Sequence, residues 1–158
     1  MLSSLRKLFR ATDSAPPASL PQGERVYAVG DIHGRADLFA ALAEAVDADD
    51  EGRGLADTTV ILLGDLVDRG PDSAGVLRQA REWQGRREVR ILAGNHEQML
   101  LDSFDSPEVL RHFLRYGGRE TVLSYPIDPD VYARAQFDEV LPLMRAAIPE
   151  ADLDFIRS

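Results

Sequence analysis

Three times in this chain a short run rich in β-branched and apolar residues ends in a glycine that is followed at once by side chains able to bind metal or move protons. Arg25-Val26-Tyr27-Ala28-Val29 leads into Gly30-Asp31-Ile32-His33-Gly34. Thr58-Thr59-Val60-Ile61-Leu62-Leu63 leads into Gly64-Asp65-Leu66-Val67-Asp68-Arg69-Gly70, and Glu88-Val89-Arg90-Ile91-Leu92-Ala93 into Gly94-Asn95-His96-Glu97. Such runs read as buried parallel strands. Between them the pattern is helical. Leu38, Phe39, Leu42, Ala45 and Val46 predict a helix over residues 36–47, and Val76, Leu77, Ala80 and Trp83 a second one capped by Asp72 or Ser73. The order β, α, β, α, β implies a parallel α/β core with right-handed crossovers. Ligands collect at the carboxyl ends of such strands, where all three loops lie.

From residue 95 onward the pattern is helical only. Residues 99–104 continue a helix, Ser106-Pro107 starts another as cap and first residue, and Leu110, Phe113 and Leu114 form its apolar face. Gly117-Gly118 ends it. Residues 119–124 read as a short helix, Asp128-Pro129 opens one that Pro142 interrupts, and Pro149 begins a last segment carrying Leu153 and Ile156. No strand is expected after residue 93.

At 158 residues the chain has room for one ordinary domain, and 44% hydrophobic with 28% charged residues is a globular composition. Residues 1–23 stand apart as a basic segment followed by a Pro-rich linker, and the folded part is expected over 24–158. Residues 1–10 carry Arg6, Lys7 and Arg10 with Leu2, Leu5, Leu8 and Phe9 at roughly helical spacing, a minor candidate for membrane-surface contact beside the plainer reading of a frayed tail. No run of about 18 apolar residues exists to span a bilayer. A net charge of −9 argues against nucleic acid as partner, since such binders neutralise phosphates with a basic surface. With no cysteine, any metal must be held by carboxylate, imidazole or amide oxygen. The same absence fits a reducing compartment, and the expected location is cytoplasmic.

Asp31 and His33, two apart at a strand end, can share one metal ion. Asp65 can bridge to a second, to which Asn95 offers an amide oxygen. Two ions about 3.5–4 Å apart lower the pKa of a bridging water. Arg69 suits bidentate contact with phosphate, and His96 can protonate a leaving alkoxide while Asp68 orients its ring. Glu97 reads as a partner for Arg69 or as a charge at a helix N-terminus. His112, between Arg111 and Arg115, reads as solvent-exposed, and Trp83 as core.

With these motifs in hand, the chain resembles the calcineurin-like metallophosphoesterases. More narrowly it is similar to the bacterial branch of the phosphoprotein phosphatases, which includes symmetrical dinucleoside-tetraphosphate hydrolases. Tyr116-Gly117-Gly118-Arg119-Glu120-Thr121 is also similar to bacterial members, and the likeness runs from about residue 24 to the end. The resemblance implies the N-terminal half of an α/β/α sandwich. Asp31, His33 and Asp65 would hold the first metal, with Asp65 bridging, and Asn95 would help hold the second. Arg69, Asn95 and His96 would bind the substrate phosphate, and His96 supported by Asp68 would be the general acid. The metals would be manganese, iron or zinc. The activity implied is hydrolysis of a phosphomonoester by in-line attack of metal-bridging hydroxide, on a phosphoprotein or a phosphorylated small molecule, with serine/threonine phosphatase as first expectation. A dinucleoside-tetraphosphate hydrolase is the alternative. Family members bring two further histidine ligands and a second arginine, whereas the histidines here are His33, His96 and His112. The domain is therefore expected to be incomplete at its C-terminus, with an incomplete second metal site and exposed apolar patches, and a non-catalytic fragment is the third reading.

Overall fold

The computed structural model describes residues 19–157; the basic segment over 1–10 and most of the linker lie outside the described residues. Three strands, β1 (Glu24–Val29), β2 (Asp57–Leu62) and β3 (Val89–Ile91), form a parallel sheet in the order β1-β2-β3. Val29 pairs with Leu62, and Leu62 with Ile91, so the three strands finish level with one another. That alignment brings the three glycine loops to one edge. The crossovers are α1 (Ala36–Gly52) and α2 (Ser73–Gln84). Asp72 caps α2 by accepting from the Gly75 N–H at 2.8 Å.

Strand alternation divides the sheet's two faces. Val29, Val60, Leu62 and Val89 point into a core shared with Phe39 of α1 and Val76, Leu77, Ala80 and Trp83 of α2. The Phe39 and Trp83 rings meet edge to face at 5.8 Å. On the other face Val26, Leu63 and Leu92 are exposed, the apolar patch that the sequence led us to expect. Among the described residues both crossover helices lie on the first face.

The apolar stripe of α1 differs from expectation. Phe39 and Val46 are buried, but Leu38, Leu42 and Ala45 face outward, because Ala36 and Ala43 complete the buried side instead. The helix also runs five residues beyond 47. Its last turns carry Asp47 and Asp50, which gather groups from β1, β2, α2 and the turn before β3. Asp50 accepts from Thr58 at 2.7 Å and from Arg87 at 2.8 Å and pairs with Arg25, while Asp47 receives Arg87 and the Trp83 indole at 3.1 Å. These contacts hold the Asp50 carboxyl down at about 2, with the Thr58 hydroxyl the largest cause and the two arginines adding to it.

The remainder is helical: α3 (Asn95–Asp102), α4 (Pro107–Phe113), a kinked turn (Leu114–Gly118), α5 (Arg119–Leu123), α6 (Pro129–Arg134), α7 (Phe137–Ala147) and α8 (Glu150–Arg157). Ser106 caps α4 with Pro107 at its first position, as expected. The paired glycines end the helix as expected: Tyr116 and Gly117 leave helical geometry, Gly117 at φ +111°, and a new helix starts at Arg119. One expectation fails: Pro142 does not interrupt a helix, since it lies inside α7. Pro142 and Asp138, whose carbonyl it leaves unpaired, are both exposed to water. Arg81 of α2 meets the buried Asp152 of α8 at 2.6 Å, and Asp152 also accepts from Tyr125 at 2.8 Å.

Candidate metal centre

Backbone bonds join the first two loops, and side-chain bonds from Glu97 and Asp65 join the second to the third. The N–H groups of Ile32 and His33 both donate to the Asp65 carbonyl, at 3.0 and 2.9 Å, and that of Gly34 donates to Leu66 at 2.8 Å. Contacts this close require glycine at facing positions. A Cβ on Gly70 would lie 2.1 Å from the His33 carbonyl oxygen, and one on Gly94 would lie 2.2 Å from an Asp65 carboxylate oxygen. The loops are also strained. His33, Asp65, Asp68 and Arg69 have φ of 44°, 52°, 72° and 68°, and among the described residues they are the non-glycines in the left-handed region.

Glu97 organises this arrangement. Its carboxylate, 1% exposed, accepts from the backbone N–H groups of Asp65, Leu66, Val67 and Gly94 at 2.8, 2.8, 3.1 and 2.8 Å. The expected pairing with Arg69 is absent among these contacts, and the helix-terminal reading is half the answer. Glu97 caps the start of α3 and clamps the neighbouring loop as well. The spacing Gly94-x-x-Glu97 signals the first role; nothing local signals the second.

Hydrogen bonds fix both imidazoles. His33 Nδ1–H donates to the Val67 carbonyl at 2.9 Å, and His96 Nδ1–H donates to Asp68 at 2.7 Å. Each ring thus turns Nε2 toward the site as an acceptor, and the Arg69 guanidinium donates to both, at 2.8 and 2.9 Å. The tautomers follow from this network. Asp68 is fully buried, and burial pushes its carboxyl above the ordinary range while the Thr121 and His96 hydrogen bonds oppose the rise.

The nitrogen or oxygen donors of His33, Asp65 and His96 all lie within 4.8 Å of one another. Imidazole and carboxylate donors suit a divalent transition ion, and the bond at each Nδ1 is the usual device for aiming Nε2 at a metal. The residues present therefore fit one ion. Asp31 approaches His33 Nε2 at 3.9 Å, but its side chain is 70% exposed and lies outside this three-donor group. Asn95 is exposed on the first turn of α3, next to His96. His112 is exposed and stacks on Tyr116 at 4.2 Å. Sequence reading gave Thr121 no role beyond its place in the Tyr116–Thr121 motif and Ser73 none beyond a candidate helix cap; their hydroxyls meet Asp68 from α5 and α2.

An open parallel sheet thus gathers imidazole, carboxylate and guanidinium beyond its strand ends, a candidate site for a divalent metal ion. The chain belongs to the calcineurin-like phosphoesterase family, whose model matches residues 24–156. Over 75 residues it is 41% identical to a symmetrical bis(5'-nucleosyl)-tetraphosphatase of Hamiltonella defensa, a match covering 48% of this chain and 25% of that protein. It is 33% identical to the zinc-dependent endopolyphosphatase of Saccharomyces cerevisiae, over 68% of this chain and 28% of the other. With serine/threonine-protein phosphatase 1 of Salmonella typhimurium it shares 38% identity, over 49% of this chain and 32% of the other. The chain thus spans about a quarter to a third of the length of these relatives. Among the described residues no helix is long and apolar enough to cross a membrane.

Proposed function

We propose that this chain carries a metal-dependent phosphoester hydrolase centre that acts on phosphomonoesters, with phosphorylated serine or threonine side chains as substrate. The observation that carries the reading is the approach of His33 Nε2, the Asp65 carboxylate and His96 Nε2 around one point with the Arg69 guanidinium against it. His33 and Asp65, with Asp31 and Asn95 as outer donors, would hold manganese, iron or zinc, which would supply Lewis acidity toward a phosphoryl oxygen and toward water. Arg69 swings its paired N–H groups from the imidazoles to two phosphoryl oxygens. His96 stays off the ion; with its Nδ1–H fixed on Asp68 and its Nε2 released when Arg69 turns to the phosphoryl oxygens, it takes up a proton from water at Nε2 and gives it to the departing oxygen. A second ion would have Asp65 and Asn95 as its donors here, a sparse set.

A second reading, hydrolysis of dinucleoside tetraphosphates, draws support from the 41% identity to the tetraphosphatase. The test is turnover of a phosphothreonine peptide and of diadenosine tetraphosphate, side by side, by the 158-residue chain with each metal, wild type against Asp65→Ala and His96→Ala. Metal-dependent release of phosphate from the peptide that both substitutions abolish supports the first reading. Preference for the dinucleotide supports the second. No turnover of either by the folded chain leaves the non-catalytic reading.

A further inference from the structure

Between α4 and α5 the chain makes a kinked turn, in which Tyr116 (φ −105°) and Gly117 (φ +111°) leave helical geometry. Here the chain meets two consecutive strained residues. The Gly117 carbonyl accepts from Arg69 N–H at 3.0 Å, and a Cβ on Gly117 would lie 2.7 Å from Arg69 Cγ. One turn later the Thr121 hydroxyl, 0% exposed, accepts from Asp68 N–H at 2.8 Å and donates to Asp68 Oδ1 at 2.6 Å.

Proton counting settles the direction of each bond. Thr121 has one hydroxyl proton, and the carboxylate, being an acceptor, takes it. Ser73 Oγ, 2.9 Å from Thr121 Oγ1, must then donate to Thr121 while itself accepting from Asp68 N–H at 3.1 Å. With Oδ1 held by Thr121, Oδ2 is left for His96 Nδ1 at 2.7 Å.

We propose that the kinked turn from Gly117 to Thr121 is a positioning element of the centre, and that Thr121 is the residue that orients Asp68 and, through it, the His96 ring. The proposal rests on the hydrolase reading for its consequence on turnover, but not for its structural content. Thr121→Val removes the hydroxyl at nearly constant volume, and Thr121→Ser keeps it. Expected for Thr121→Val is a 10–100-fold lower kcat on p-nitrophenyl phosphate with KM within about twofold, as for other residues that orient a ligand or proton carrier. Thr121→Ser stays within about threefold. In an Asp68→Asn background Thr121→Val adds no further loss, because its path runs through that carboxylate.

A second readout needs neither metal nor turnover. The chain has three histidines, so nitrogen-15 spectra assign them readily. Wild type and Thr121→Ser show His96 as a single tautomer with a protected Nδ1 proton, and Thr121→Val shows tautomer averaging at His96. His33, held by the Val67 carbonyl instead, stays unchanged and serves as the internal control. If Thr121→Val does not fold, Ser73→Ala replaces it, with the same change in smaller degree. An unaltered His96 signal in the folded variant, or a loss that adds in full to that of Asp68→Asn, overturns the proposal. A wild-type chain that hydrolyses no phosphoester overturns the hydrolase reading alone, and the His96 spectra still decide this one.

Discussion

Replacing Glu97 by glutamine keeps the shape of a side chain whose two oxygens serve four backbone N–H groups. One oxygen becomes an NH2. Whichever end it takes, two N–H groups lose their acceptor and face a donor: Asp65 and Gly94 on one side, or Leu66 and Val67 on the other. A buried donor left unsatisfied costs about 1–3 kcal/mol, so two cost about 2–6 kcal/mol. Removing a buried charge offsets part of that. The expected loss is thus about 2–4 kcal/mol, or roughly 4–16 °C in Tm for a domain of this size. Urea and thermal unfolding followed by circular dichroism measure it, with the exposed Glu44→Gln as a control near zero. The loop that carries Asp65 should loosen as well, seen as faster amide exchange at Asp65, Leu66 and Val67. A loss under about 1 kcal/mol with unchanged exchange would show that the carboxylate does not hold the loop.

Further outcomes can be stated for other parts of the molecule. Calorimetric titration with manganese or zinc should lose its binding isotherm in His33→Ala and in Asp65→Ala, while Asp31→Asn weakens it less, since Asp31 stands outside the three-donor group. Equal losses in all three would favour the ligand set expected from sequence over the one assembled here. Gly117→Ala should destabilise by about 1–3 kcal/mol in denaturant titration, through left-handed strain and contact with Arg69. Asp50 has its folded pKa lowered from 3.8 to about 2, so its stabilising effect is complete above about pH 4 and lost as pH falls toward 2. Its size, about 1 kcal/mol after solvent screening, should vanish from the acid limb of stability against pH in Asp50→Asn. Arg81→Ala leaves Asp152 buried without its cation, and a fall of about 3 kcal/mol in unfolding free energy is expected.

What could be read from the sequence was whatever local chemistry dictates. Strand runs ending in glycine, Asp72 before α2 and Ser106-Pro107 before α4 each act within a few residues, and the structure places them as expected. The approach of the three loops was legible too, because parallel strands joined by helical crossovers must end on the same edge. Contacts made across long separations were not legible. Glu97 reaches 32 residues back to Asp65, and Thr121 reaches 53 residues back to Asp68. In a single sequence each looks like an ordinary helix residue. The stripe on α1 was misplaced for a related reason: Leu38 and Leu42 are more apolar than Ala36 and Ala43, and only the position of the sheet selects the alanine side.

These long reaches have a common physical cause in the strain of the site. Four non-glycine residues in left-handed geometry cost of order 1–2 kcal/mol each, several kcal/mol in all, which is a large fraction of a domain's net stability. Such strain persists only where surrounding contacts over-determine it. Each strained residue here has its own restraint. His33 N–H is held by the Asp65 carbonyl, Asp65 N–H by Glu97, Asp68 N–H by Thr121 and Ser73, and Arg69 N–H by the Gly117 carbonyl. The restraints come from the loop after β2, from α3, α2 and α5 and from the kinked turn, so the metal-type donors take their positions only when the elements from β2 to α5 have folded together. Folding and assembly of the centre should therefore be one cooperative event. An ion bound by His33 and Asp65 would raise the stability of α5 and of the kinked turn, although neither supplies it a ligand.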